Sequence, residues 1–262
     1  MRIPAGAANE TPLQGDASPD VATVADAARD AARDAPPDAP PDAPPDAPRI
    51  PLDCLDAYQH GVTTDGPITI SPGGGAAYTA YCDMTTAGGG WTLVYVYGFT
   101  DYTNFGGNGN AVTPRPTWAF SSTGSVPTST TVPADPTTTG ALDYTRWAAL
   151  GTSFLVTSNI DNWYACTAGT GSLVTGGTNG TATCTVAKVN TATCTTDVPT
   201  GVHWYSTGPW LEGGAQVQYP IFVFWDGSTN AASWPTHDPC GADGANQLTG
   251  VATPRGAIYL RR

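Results

Sequence analysis

The residues best suited to chemistry lie close together near the C-terminus. Asp226 opens Asp226-Gly227-Ser228-Thr229-Asn230, and Asp238 and Asp243 flank Cys240 in Trp234-Pro235-Thr236-His237-Asp238-Pro239-Cys240-Gly241-Ala242-Asp243. Calcium takes about six to eight oxygen ligands from carboxylates, carboxamides, backbone carbonyls and water. Asp226, Asn230, Asp238 and Asp243 are therefore the expected ligands of a calcium ion. Trp234 and His237 stand among Pro and Ser in a loop and are the expected ligand contacts, with the indole offering a flat face to a sugar. The bland alternative reads Asp226-Gly227 as a β-turn and Asp238-Pro239 as a turn initiator. The aromatic residues upstream, Trp204, Tyr205, Trp210, Tyr219, Phe222, Phe224 and Trp225, fall mostly in apolar runs and are expected in the core.

Catalysis finds no comparable support. The histidines are His60, His203 and His237, and no Gly-x-Ser-x-Gly elbow accompanies them. Paired carboxylates for glycoside hydrolysis are equally unsupported, Glu212 being the sole glutamate beyond residue 10. No enzyme is expected. The net charge of -12, with Lys188 the single lysine, argues against nucleic acid as a partner. Binding to glycans or other cell-surface molecules fits better, with a structural or protein-binding adhesion module as the alternative.

Such residues need a frame, and the frame is written in cysteines and short apolar runs. Six cysteines stand at 54, 82, 166, 184, 194 and 240, without a Cys-x-x-Cys pair or zinc-type spacing. Disulfides formed in an extracellular or cell-surface setting are the natural reading, and reduced buried thiols the other. Residues 1–25 hold no apolar run long enough for a signal peptide, so an export leader, and any membrane anchor, is expected upstream of residue 1. From Asp26 to Asp46 an aspartate recurs at every fourth position, first around Ala-Ala-Arg and then around Ala-Pro-Pro. Closely spaced prolines favour an extended polyproline helix rising about 3.1 Å per residue, and the aspartates keep it solvated. Residues 1–52 are thus expected to be an uncollapsed tether holding a domain of residues 53–262 away from a surface.

Within that domain, runs at 67–70, 78–82, 91–97, 153–157 and 219–225 read as strands between Gly, Pro, Asn and Ser clusters. Asp143 to Leu150 is the best helix, with Asp143 able to cap it and Tyr144, Trp147 and Leu150 at roughly helical spacing. The Thr-, Pro- and Gly-rich stretch from about 101 to 140 lacks periodicity and is expected to be a long surface excursion.

One motif resembles a known family. Tyr81-Cys82-Asp83, four further residues, then Gly88-Gly89-Gly90-Trp91 is similar to the opening of fibrinogen-like domains, in particular the bacterial branch with the pattern YCDxxxxGGGW. Cys54, Gly61 and Asp65-Gly66 with the run from Pro67 to Ile70 look like that family's opening hairpin. Gly256-Ala257-Ile258-Tyr259-Leu260-Arg261 resembles the closing strand of these domains and of the related intelectin-type lectins. The resemblance implies an α+β fold, mainly antiparallel β with few short helices, and a Cys54–Cys82 disulfide. It also implies calcium-ordered ligand sites in the C-terminal loops, although the family's Asp-x-Asp calcium loop is absent here. The other cysteines allow three pairings, of which Cys166 with Cys184 and Cys194 with Cys240 is favoured. Physically, the glycines permit positive φ and close chain approach ahead of an apolar strand, so the motif reads as a folding device rather than a phosphate cradle.

Overall fold

The computed structural model describes residues 49–99, 112–118, 127–190, 198–205, 208–213, 220–224, 251 and 253–262. Contacts of the folded part include residues ahead of the boundary expected at 53. The Arg49 guanidinium donates to both Asp56 carboxylate oxygens at 3.1 and 3.0 Å, and the Ser71 N–H donates to the Pro51 carbonyl at 2.9 Å. Asp53 then caps a short helix, α1 (Cys54–Gln59), its carboxylate accepting from the Asp56 N–H at 2.8 Å. The opening is accordingly a helix followed by a hairpin, not a hairpin alone. Aspartate at an N-cap satisfies an amide that the first turn would otherwise leave unpaired.

The strands are β1 (Gly66–Ile70), β2 (Tyr78–Asp83), β3 (Trp91–Phe99), β4 (Val112–Thr113), β5 (Gly140–Ala141), β6 (Ser153–Ser158), β7 (Trp163–Ala168), β8 (Gly180–Lys188), β9 (Pro199–Tyr205), β10 (Gly208–Gly213), β11 (Pro220–Val223) and β12 (Arg255–Arg261). Among the described residues they join in the order β1-β2-β3-β12-β6-β7-β8-β9-β10-β11, and β4 and β5 also pair with β3. Neighbouring strands pair antiparallel throughout. The last strand, β12, therefore lies in the middle of the sheet between β3 and β6.

Period-two alternation divides β12 between two faces. Ile258 and Leu260 join the main core with Val94, Phe154 and Val156, whereas Ala257 and Tyr259 pack on the other face with Trp91, Leu93, Val96 and Leu155. A 3-10 helix (Tyr144–Leu150) covers part of the main core, capped by Asp143 as expected, with Trp147 and Leu150 buried.

The reading of residues 101–140 as surface excursion needs correction. Residues 112–113 and Gly140 pair with β3, and Trp118 is buried with Tyr95, Tyr144, Trp147 and Trp204 around it at ring distances of 5.8 to 6.1 Å, near edge-on. Edge-to-face pairs of this kind add about 0.5–1.5 kcal/mol each beyond the area they bury. Absence of periodicity misled because one large aromatic can anchor an irregular segment.

Two disulfides are formed among the described residues. Cys54 at the start of α1 is bonded to Cys82 in β2, with Cα atoms 5.5 Å apart. Cys166 and Cys184 face each other across β7 and β8 and are bonded, with Cα atoms 4.0 Å apart. Cys194 and Cys240 lie outside the described residues. The glycine run acts as a packing device: Gly90 has φ +75, and a Cβ there would come within 2.9 Å of the Leu55 Cα in α1.

Candidate functional site

A polar cleft of about 360 Å³ lies on the Tyr259 face of the sheet. One wall comes from the β1–β2 hairpin. The register Gly66↔Cys82 sets Asp65 beside Asp83, each just at the end of its strand pairing. Asp83 Oδ1 accepts from the Thr85 and Thr86 amides at 3.0 and 2.8 Å, which turns the chain out of β2. Asp65 holds that turn from outside: Oδ1 accepts from the Met84 N–H at 2.7 Å and Oδ2 from the Thr85 hydroxyl at 3.1 Å. Side chains of Asp and Thr compete well for backbone donors at turns, which is why this sequence bends here.

The opposite wall is the turn from β6 to β7 and the start of β12. Ser158 Oγ accepts from the amides of Ile160 and Asp161, both at 3.0 Å. The Trp163 indole donates to the Ser158 carbonyl at 2.7 Å, and Lys188, opposite it on β8, places its ammonium 4.4 Å over the ring. Asn159 works as a clamp on β12, accepting from the Arg255 N–H at 2.9 Å and donating to the Thr253 carbonyl at 2.8 Å. Arg255 thus reaches the cleft from a fixed backbone, with one long contact, 3.4 Å, to the Thr253 hydroxyl.

At the floor, Tyr259 is 3% exposed yet its hydroxyl has no hydrogen bond among the described residues. Burial raises its pKa above the ordinary phenol value, and the charges of Asp83, Asp65 and Asp135 raise it further. Tyr81, on the same face, is raised by burial and then by the same carboxylates. A rim loop carries Pro136 and Thr137. Asp135 organises it, accepting from the Thr137 hydroxyl and amide at 2.6 and 2.7 Å and from Thr138, which lowers its pKa to about 2. Hydroxyls, carboxylates, a guanidinium and an indole around one recess are groups that recognise a hydroxylated ligand.

The residues expected to bind calcium and ligand, Asp226, Asn230, Asp238 and Asp243 with Trp234 and His237, lie outside the described residues. Of the upstream aromatic residues, Trp204, Trp210, Phe222 and Phe224 are buried as expected, while Tyr205 is 41% exposed. Trp210 stacks on His203 at 4.5 Å and donates to Glu212 Oε2 at 3.2 Å, so both polar partners are tied into packing on β9 and β10. Tyr219 and Trp225 lie outside the described residues. Reading the sequence by itself misses the cleft. Asp83 stands inside YCD and Tyr259 inside the closing strand, and both look like folding signals until the strands are paired.

Comparison with known proteins bears on the first wall. The family model for fibrinogen beta and gamma chains, C-terminal globular domain, matches residues 50–108. Angiopoietin-2 from Sus scrofa is 46% identical over 43 residues, which is 16% of this chain and 9% of that protein. Microfibril-associated glycoprotein 4 from Homo sapiens is 48% identical over 44 residues, 16% of this chain and 17% of the relative. The chain thus spans a small part of the length of the curated relatives it matches. The fibrinogen-like globe domain of human ANGPTL6 superposes with a TM-score of 0.34 at 11% identity, covering 81% of this chain and 96% of that one. Over residues 50–108, which include Asp65, Tyr81, Asp83, Thr85 and Thr86 of the cleft, the chain is similar to the C-terminal globular domain of fibrinogen chains.

Proposed function

We propose that this chain is a non-catalytic, extracellular recognition module that takes a saccharide in the Tyr259 cleft and is held off a surface by its Asp- and Pro-rich N-terminal tether. The observation that carries the reading is the floor of the cleft. Tyr259 is 3% exposed as a residue, and its hydroxyl, which opens to the cleft, has no hydrogen-bond partner among the described residues and so can take one from a ligand. Around it, the Thr85, Thr137 and Thr157 hydroxyls and the Trp163 indole offer the mix of short polar contacts and flat apolar surface that sugars use. The disulfides fit an oxidising compartment. Kinship with the bacterial YCDxxxxGGGW branch and with intelectin-type lectins belongs to the same reading. So does calcium held by Asp226, Asn230, Asp238 and Asp243, with Trp234 and His237 beside it, as a second contact to the ligand.

A purely adhesive, protein-binding module is the other reading, favoured by similarity to a relative whose name associates it with microfibrils. A glycan array with the full chain, run with calcium and with chelator, separates the two. Tyr259→Phe is the sharp variant, because it removes only the unpartnered oxygen. It is expected to leave the melting temperature within about 2 °C of wild type and to weaken saccharide binding roughly three- to tenfold, the worth of one neutral hydrogen bond. A silent array, with or without calcium, refutes the saccharide reading and leaves the adhesion module. Binding lost with chelator but untouched by Tyr259→Phe would move the site to the C-terminal loops.

A further inference from the structure

We infer that the Tyr259 cleft selects a protonated primary amine on a sugar ring, that is, an amino sugar lacking its acetyl group; the inference rests on the saccharide reading above. An ammonium brings three donors and no acceptor. The cleft's inner wall answers with acceptors. Asp83 is 6% exposed, and while its Oδ1 is used by the Thr85 and Thr86 amides, its Oδ2 has no hydrogen bond among the described residues. Tyr259 adds a second acceptor without a partner there, and Asp65 a second negative charge beside Asp83 by register.

Arg255, and Lys188 over the Trp163 ring, are the countervailing charges, and the position of Arg255 in the lining decides the class of ligand. Arg255 lies across the cleft, at the start of β12, with its nearest side-chain contact on Thr253. The charges that act on the hydroxyls of Tyr81 and Tyr259 are those of Asp65, Asp83 and Asp135. A carboxylated or sulfated sugar would meet Asp65 and Asp83 on the wall beside Tyr259, while an N-acetylated one would offer a single weak donor in place of three. An amine satisfies Asp83 Oδ2 and the Tyr259 oxygen together, and its ring carbons can lie toward Trp163.

The test is calorimetry with the full chain against a glucosamine hexamer, its fully N-acetylated counterpart and a neutral glucose hexamer, at mildly acidic pH and low salt. The amine hexamer is expected to bind about tenfold or more tightly than the other two, as a charge-assisted bond exceeds a neutral one by that much. Its advantage is expected to shrink in 1 M salt, where screening extends over only about 3 Å. Asp83→Asn keeps Oδ1 for the turn and is expected to remove most of the preference; Asp65→Asn is the second variant should the first disturb folding. Equal affinity for all three hexamers, with the same sensitivity to Tyr259→Phe, overturns the amine inference and leaves the saccharide reading standing. A lysine-rich peptide that binds as tightly as the hexamer overturns the requirement for a sugar ring. No binding by any hexamer removes both.

Discussion

The glycine run before Trp91 offers a quantitative test of how the opening motif works. Gly90 has φ +75, where an L-residue carries a penalty of about 1–2 kcal/mol. Its missing Cβ would also stand 2.9 Å from the Leu55 Cα and 3.0 Å from Leu55 Cδ1. Backbone on that side cannot easily yield, since α1 is tied to the sheet by the Cys54–Cys82 disulfide and by the Cys54 N–H donating to Thr92 Oγ1 at 3.3 Å. Gly88 supplies the control. At φ +87 it carries a similar conformational penalty, but its Cβ would meet only the far end of the Arg261 side chain, at 3.5 Å. Gly88→Ala should therefore cost about 1–2 kcal/mol, and Gly90→Ala at least about 3 kcal/mol once overpacking is added. For a domain of this size the corresponding drops in melting temperature are roughly 3–6 °C and 9 °C or more. Thermal and urea unfolding of the two variants under oxidising conditions measure the difference. If Gly90→Ala proves no worse than Gly88→Ala, close packing of α1 on the motif is not what the glycine serves.

Other expectations follow from single features. Replacing Cys166 and Cys184 together by Ala opens a loop with a sequence separation of 18, and should cost on the order of 3 kcal/mol in urea unfolding; an unchanged midpoint would count against the bond. Asp135, its pKa lowered to about 2 by hydrogen bonds from Thr137 and Thr138, contributes stability that is complete above the unfolded-state value near 3.8 and is lost as pH falls through about 2. The stability gap between wild type and Asp135→Ala should accordingly close across that window; because the loop is open to water it should not exceed about 1 kcal/mol, and a gap that widens on acidification contradicts the assignment. Limited proteolysis of the full chain should remove residues ahead of Arg49 and stop at the domain, as an aspartate-rich polyproline tether implies; protection of that segment would refute the tether.

Much of the scaffold was legible in the chain because its signals are local. The strand runs at 67–70, 78–82, 91–97 and 153–157 coincide with β1, β2, β3 and β6, and Asp143 caps a helix, though the helix is 3-10 rather than α. The pairing of Cys166 with Cys184 became certain only when β7 and β8 set them opposite each other. β7 to β10 escaped a sequence reading for a different reason. Thr, Gly and Ala in Gly180–Lys188 carry little apolar contrast, and a strand with one open face needs little. α1 hid because six residues hold too few turns to show a period.

The cleft belongs to the second kind of information. Residue type and spacing by themselves determined the Asp- and Pro-rich composition of the first 48 residues, the turn made by Asp83 and the cap supplied by Asp143, since each depends on neighbours a few positions away. Only tertiary structure decided that Asp65 and Asp83 face Asn159, Trp163 and Arg255 across Tyr259, because that depends on the final strand being inserted between β3 and β6. Strand registers are fixed by which face of the whole sheet can be buried, and a slip of one residue in β12 would turn Tyr259 into the main core and Leu260 toward the cleft.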